Sequence, residues 1–215
     1  MKPLRKEIPM IRTVIFDIGK VLISFDWKAT LASMDLSEED RNILAHAMFL
    51  NPDWLEFDRG VLTTEEVLAR FALKAPGYES LIRQAYLGIY REMRTFPYTK
   101  DWILHLKKAG LNVYYLSNYG KEPRELSRET LSFTELMDGG LFSYEVKMIK
   151  PSPWIYLELF RRYDIRPEEA VFIDDNVNNI QAARALGLHA ILFTSYEAAS
   201  RELEALIPAL NNSDH

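Results

Sequence analysis

With 215 residues, 48% hydrophobic and 27% charged, the chain can bury one sizeable core and carry a small inserted domain, and this composition argues against disorder. A formal charge of -5 provides no basic field for counterion release, so nucleic acid is a poor partner and any anion site must be local. The absence of cysteine removes disulfides, thiol catalysis and thiolate metal sites.

The first ten residues carry Lys2, Arg5 and Lys6 but also Pro3, Glu7 and Pro9, with no apolar run behind them, so no secretory signal is expected there. No uninterrupted apolar segment approaches the ~20 residues that a membrane span needs. The expectation is a cytoplasmic protein with a frayed start and no membrane partner.

Residues 13–22 read Thr-Val-Ile-Phe-Asp-Ile-Gly-Lys-Val-Leu. Four β-branched or aromatic residues bounded by a charge and a glycine suit a short strand buried on both faces. Such a strand delivers Asp17 to its C-terminal end, where open parallel sheets form their ligand crevice. Taken alone, the stretch fits equally well an Asp that merely caps or turns the chain.

From residue 25 to 95 the texture becomes amphipathic. Ser37 and Thr63 each precede acids at helix-start spacing, segments 42–50, 67–73 and 81–93 have helical periodicity, and Asn51-Pro52, Arg59-Gly60 and Ala75-Pro76-Gly77 punctuate them. The expectation is an all-helical insert of three or four helices, hinged near Ser24 and Pro97.

Helix and strand then alternate. Segment 99–109 reads as a helix closed by Gly110; 113–116 is a second buried run ending in Ser117-Asn118; 121–136 reads as a helix ended by Gly139-Gly140; and 141–149 is a short strand or loop. Ser152 and Pro153 predict the start of a helix over 154–163, with Lys150 just ahead of it. A third run, 171–173, ends in Asp174-Asp175 before a helix over 177–186; a fourth run covers 190–193, and a last helix 201–210 leads to a polar tail. These alternations make a three-layer α/β parallel sheet the economical architecture, with residues 1–24 and 96–215 forming the core and 25–95 an inserted cap. Asp17, Ser117-Asn118 and Asp174-Asp175 then converge on one sheet edge, which favours a site over a turn at Asp17.

Through these residues the sequence resembles the haloacid dehalogenase superfamily of aspartate-nucleophile hydrolases. Phe16-Asp17-Ile18-Gly19 is similar to its first motif, Leu116-Ser117-Asn118 to its second, Lys150-Pro151 to its third, and Phe172-Ile173-Asp174-Asp175-Asn176 with Asn178-Asn179 to its fourth. The insert resembles that superfamily's C1-type cap, and the most similar branch is that of bacterial sugar-phosphate phosphatases. The resemblance implies a three-layer Rossmann-like core and a magnesium-dependent phosphomonoesterase. Asp17 would attack phosphorus, Ser117 and the Asn118 amide would hold phosphate oxygens, and Lys150 would neutralise charge. Asp17, the Gly19 carbonyl and Asp175 would ligate Mg²⁺, with Asp174 as ligand or support.

The chemistry is consistent with that set. A phosphate dianion facing Asp17 costs on the order of 8 kcal/mol at 4 Å and effective dielectric 20, so the carboxylates are workable only with cations among them. Hard oxygen ligands with room for waters select Mg²⁺. Gly19 departs from the superfamily pattern, which often has a second Asp there as general acid and base; Lys20 is also unusual. Phe25, Asp26 and Trp27, with Trp54, Phe57 and Asp58 opposite, are placed at the mouth; an aromatic beside an acid suits sugar recognition, with Trp27 as the expected substrate contact, and packing in the core of the insert is the other reading of these aromatics. The expected ligand is a small phosphorylated metabolite, with no obligate protein partner. Two other readings remain: a chain that keeps the fold but only binds a phosphorylated ligand or partner, and a 2-haloacid dehalogenase.

Overall fold

The computed structural model describes residues 10–212; the start expected to fray (1–9) and the end of the polar tail (213–215) lie outside the described residues. Five parallel strands, β1 (Thr13–Phe16), β2 (Asn112–Ser117), β3 (Gly139–Phe142), β4 (Ala170–Asp174) and β5 (His189–Leu192), form one sheet in the order β3-β2-β1-β4-β5. The most apolar strands are central because parallel strands are covered on both faces. Pairing of Phe16 with Tyr115 on one side and Ile173 on the other sets the ends of β1, β2 and β4 level.

Side-chain alternation divides the core. Val14 and Phe16 face one way with Val113 and Ile173, against α6 (Thr99–Lys108) and α11 (Tyr196–Leu206); Ile15 faces the other with Leu116 and Phe172, against α9 (Pro153–Tyr163) and α10 (Val177–Ala185). This is the expected three-layer α/β fold. The Phe16 side is continuous with the apolar interior of the helical insert, through Leu44, Met48, Phe71 and Tyr86.

The insert between β1 and α6 contains α1 (Trp27–Ser33), α2 (Glu38–Leu44), α3 (Asp53–Asp58), α4 (Thr64–Lys74) and α5 (Glu79–Glu92). There are therefore five α-helices where three or four are predicted: the 42–50 segment is α2 running on into a π-helical turn, Ala45–Phe49, and the additions are α1, capped by Asp26, and the short α3 that starts after Asn51-Pro52. Ser37 and Thr63 both form capping boxes, with Asp40 and Glu66. The two connections to the core run side by side: Ser24 N–H donates to Arg94 O (2.8 Å), and Arg94 N–H to Ser24 Oγ (2.9 Å).

Three further expectations need correction. The predicted 121–136 helix is only α7 (Lys121–Leu126), because Ser127 Oγ donates back to Pro123 O and the chain turns into a 3-10 segment, Ser132–Leu136. Gly139-Gly140 does not end a helix but opens β3, which is followed by α8 (Ser143–Val146). The last helix begins at Tyr196 rather than 201, capped by Ser195 Oγ accepting from Ala198 N–H (3.2 Å). No helix among the described residues is long and apolar enough to cross a membrane.

Candidate active site

The level strand ends carry the polar groups. Asp17 follows β1, with its N–H donating to Ile173 O (2.8 Å), so β4 fixes it beside Asp174, the last residue of that strand. Carboxylate oxygens of Asp17, Asp174 and Asp175 lie within 4.8 Å of one another. Lys150, 3% exposed, places Nζ between two of them, 2.7 Å from Asp17 Oδ1 and 2.7 Å from Asp174 Oδ2.

Each group's remaining bonds constrain what it can do. Asp174 is saturated: Oδ1 accepts from Asn176 N–H (2.7 Å) and Asn179 Nδ2 (3.0 Å), and Oδ2 from Asn179 Nδ2 (3.0 Å) as well as Lys150. Asp17 Oδ1 is likewise occupied, by Ile18 N–H (2.7 Å) and Lys150, while Oδ2 takes no hydrogen bond from the described residues. Asp175 has an ion pair with Lys20 Nζ at 3.6 Å. Lys20 reaches it from a left-handed backbone conformation (φ 61°), which costs a non-glycine residue roughly 1–2 kcal/mol.

Asn118 lines the cavity next to Ser117. Its carboxamide clamps the Lys150 main chain, accepting from Lys150 N–H at 2.8 Å and donating to Lys150 O at 3.0 Å. With the side chain turned to Lys150, the main chain of Asn118 is the part of it that can face a ligand. Ser117 is 2% exposed, has a hydroxyl free of protein hydrogen bonds among the described residues, and lines the cavity.

Electrostatics follow from burial. Desolvation pushes the Asp17 carboxyl up to about 7; the Lys150 ammonium opposes this, while Asp174 and Asp175 add to it. Burial also raises Asp175, against the pull of Lys20. For Lys150 burial works against the charge, but the Asp17 and Asp174 carboxylates outweigh it and the ammonium is held more firmly than usual. Three carboxylates and two ammonium groups leave a local excess of negative charge. Hard oxygen donors in that balance suit Mg²⁺.

The cavity above these groups holds about 240 Å³. Its core side presents Asp17, Lys150 and Ser117, and its insert side presents Phe25, Trp54 and Asp58. Trp27 is not among the lining residues, contrary to expectation: it stacks on Phe49 (5.0 Å, 14°) and lines a separate surface depression near Arg41. Periodicity locates a helix but not which of its neighbours an aromatic will choose. Asp58, expected only near the mouth, lies over the acids because its turn is fastened to the core. Its carbonyl accepts from Ser143 Oγ, and the Gly60 carbonyl accepts from Lys147 Nζ.

The haloacid dehalogenase-like hydrolase family matches residues 11–187, which spans all four polar clusters. The chain belongs to that family. Among its relatives, D-ribitol-5-phosphate phosphatase of Bacteroides thetaiotaomicron is 28% identical over 83% of this chain and 89% of its own. Drimenol cyclase drtB of Aspergillus calidoustus is 28% identical over 90% of this chain but only 36% of its own, so the chain spans about a third of that relative. (S)-2-haloacid dehalogenases are also among the relatives. The fold is that of a haloacid dehalogenase family enzyme of Bacteroides thetaiotaomicron solved in complex with magnesium and inorganic phosphate (TM-score 0.67, 21% identity, 89% of this chain and 98% of that one).

Proposed function

We propose that this haloacid dehalogenase-like hydrolase is a Mg²⁺-dependent phosphatase of a small phosphorylated metabolite, a sugar phosphate first. The observation that carries this reading is the unbonded Oδ2 of Asp17, held beside a buried ammonium at the floor of the cavity between core and insert. A volume of about 240 Å³ falls below the ~300 Å³ at which drug-sized pockets begin, which selects a small substrate.

In this mechanism Asp17 Oδ2 attacks phosphorus, the bond to the substrate oxygen breaks, and water then hydrolyses the aspartyl-phosphate. Lys150 holds the other oxygen of Asp17 and offers its charge to the incoming phosphate. The Ser117 hydroxyl and the Asn118 main chain bind phosphate oxygens. Asp17, Asp175 and the Gly19 carbonyl would hold Mg²⁺, whose charge lets a dianion approach the acids. The saturated Asp174 is a support that orients Lys150. Trp54 and Phe25, with ring centroids 6.2 Å apart, form an apolar wall for the organic part of the substrate.

Purified protein with Mg²⁺ is expected to release phosphate from a panel of sugar phosphates and from a generic aryl phosphate, and Asp17→Asn to abolish that release. Equal phosphate release by Asp17→Asn refutes the nucleophile. Halide release from a 2-haloacid without Mg²⁺ establishes the dehalogenase reading instead.

A further inference from the structure

Breaking a phosphate ester to an alcohol leaves an alkoxide, a strong base that departs far faster if a proton reaches it in the transition state. Position 19 cannot supply the proton: it is glycine, and a Cβ built there meets nothing within 4 Å. Among the described residues lining the cavity, the carboxyl groups are Asp17, Asp58 and Asp175. Asp17 is the proposed nucleophile and Asp175 is engaged with Lys20 on the core side, so Asp58 alone approaches from the insert.

Three observations single out Asp58. Its carboxylate accepts no hydrogen bond and pairs with no cation among the described residues, while Asp53 on the same helix is paired with Arg70 and Lys74. It stands outside the cluster of converging acids, yet the charges that act on it are those of Asp17 and Lys150 across the cavity. Its turn has a fixed seat on the core: Ser143 Oγ, which receives the Tyr119 N–H (2.8 Å), donates to the Asp58 carbonyl. Two residues on, Gly60 (φ 71°) packs so tightly that a Cβ would lie 2.8 Å from that of Tyr144. Burial, with the Asp17 charge adding and Lys150 opposing, pushes the Asp58 carboxyl up to about 7, which keeps a substantial protonated fraction near neutrality.

Resting on the phosphatase reading, we propose that Asp58 is the proton donor to the leaving group, supplied by the insert in place of a side chain at position 19. In the first displacement Asp17 Oδ2 bonds to phosphorus, the phosphorus–alkoxide oxygen bond breaks, and the Asp58 proton moves to that oxygen, releasing the alcohol. The Asp58 carboxylate then takes a proton from the water that attacks the aspartyl-phosphate, releasing inorganic phosphate and restoring both acids. Because Asp58 reaches the cavity through the Ser143 and Gly60 contacts, the donor is in place only when the insert is docked on the core.

The test compares wild type with Asp58→Asn in rapid-mixing experiments that read the first displacement, using a sugar phosphate found active and p-nitrophenyl phosphate, whose phenolate leaves without a proton. The variant is expected to lose ~10²-fold or more in the sugar-phosphate step relative to its loss with the nitrophenyl ester. Equal losses on the two esters, or none on the sugar phosphate, overturn the donor assignment and leave the phosphatase reading intact. Wild type that releases phosphate from neither ester overturns both. The nitrophenyl step, read in the same sample, shows that the variant is folded.

Discussion

Replacing Lys150 by methionine removes one charge and almost no volume, which isolates the electrostatic contribution at the centre of the site. The ammonium lies 2.7 Å from a carboxylate oxygen of each of Asp17 and Asp174, with side-chain exposures of 2%, 12% and 0% for the three groups. Removing one partner of a buried pair costs about 3–5 kcal/mol, because the remaining charges lose their counterion without regaining water. The sign with pH follows from proton binding. The folded Asp17 carboxyl stands above the unfolded Asp value of about 3.9, and further above it once the ammonium is gone, so the folded variant binds more protons than its unfolded chain and its stability falls as pH rises. Asp17, already lifted to about 7 with Lys150 present, moves further up. The part of the loss carried by Asp17 is therefore small well below pH 7, where its carboxyl is protonated with or without the ammonium, and grows as pH rises past 7. Urea unfolding at pH 5 and pH 8 measures it: Lys150→Met should lose about 3–5 kcal/mol at pH 8 and less than half of that at pH 5. A variant as stable as wild type at pH 8, or equally destabilised at both values, refutes the charge argument.

Much of this centre was legible in the sequence because buried parallel strands are continuous apolar runs and the groups beyond their ends stand out. β1, β2 and β4 each show a polar residue at or just after the C-terminal end, and the level register brings them together. β3 was not legible. Its Gly139-Gly140 pair looks like a turn, whereas the structure uses the glycines to admit two rings: a Cβ at Gly139 would lie 2.6 Å from Tyr163 and one at Gly140 2.3 Å from Tyr115. Those contacts join residues more than twenty positions apart, which no local pattern encodes. The same limit explains Trp27 and Asp58. Nearness in sequence to Asp17 puts Trp27 at the mouth, but Phe49 captures it, while Asp58, expected to face the mouth from the insert, lines the cavity because its turn is anchored to Ser143 and Lys147.

Asn118→Ala deletes both bonds to the Lys150 main chain; a loss of about 1–3 kcal/mol in urea unfolding is expected, with a fall in kcat as Lys150 loses its seat, and unchanged stability would show that the clamp contributes nothing. Chelation with EDTA should abolish phosphate release and added Mg²⁺ should restore it, whereas activity that survives exhaustive chelation would contradict the proposed cation site. Gly140→Ala tests the reading of β3. The new methyl would sit 2.3 Å from the Tyr115 ring, a contact that neither group can relieve cheaply, since Tyr115 also packs on Phe142 (ring centroids 4.7 Å) and the Gly140 N–H and carbonyl are both bonded to the Tyr163 hydroxyl at 2.9 Å. Moving the strand breaks those bonds, and moving the ring strips the Phe142 contact. Overpacking of this kind costs about 1–3 kcal/mol, and the shared hydroxyl bonds place the expected loss at the upper end of that range. Thermal unfolding at neutral pH should show the drop, and a Gly140→Ala protein that melts with wild type would mean that β3 is not held against Tyr115 and Tyr163 as described.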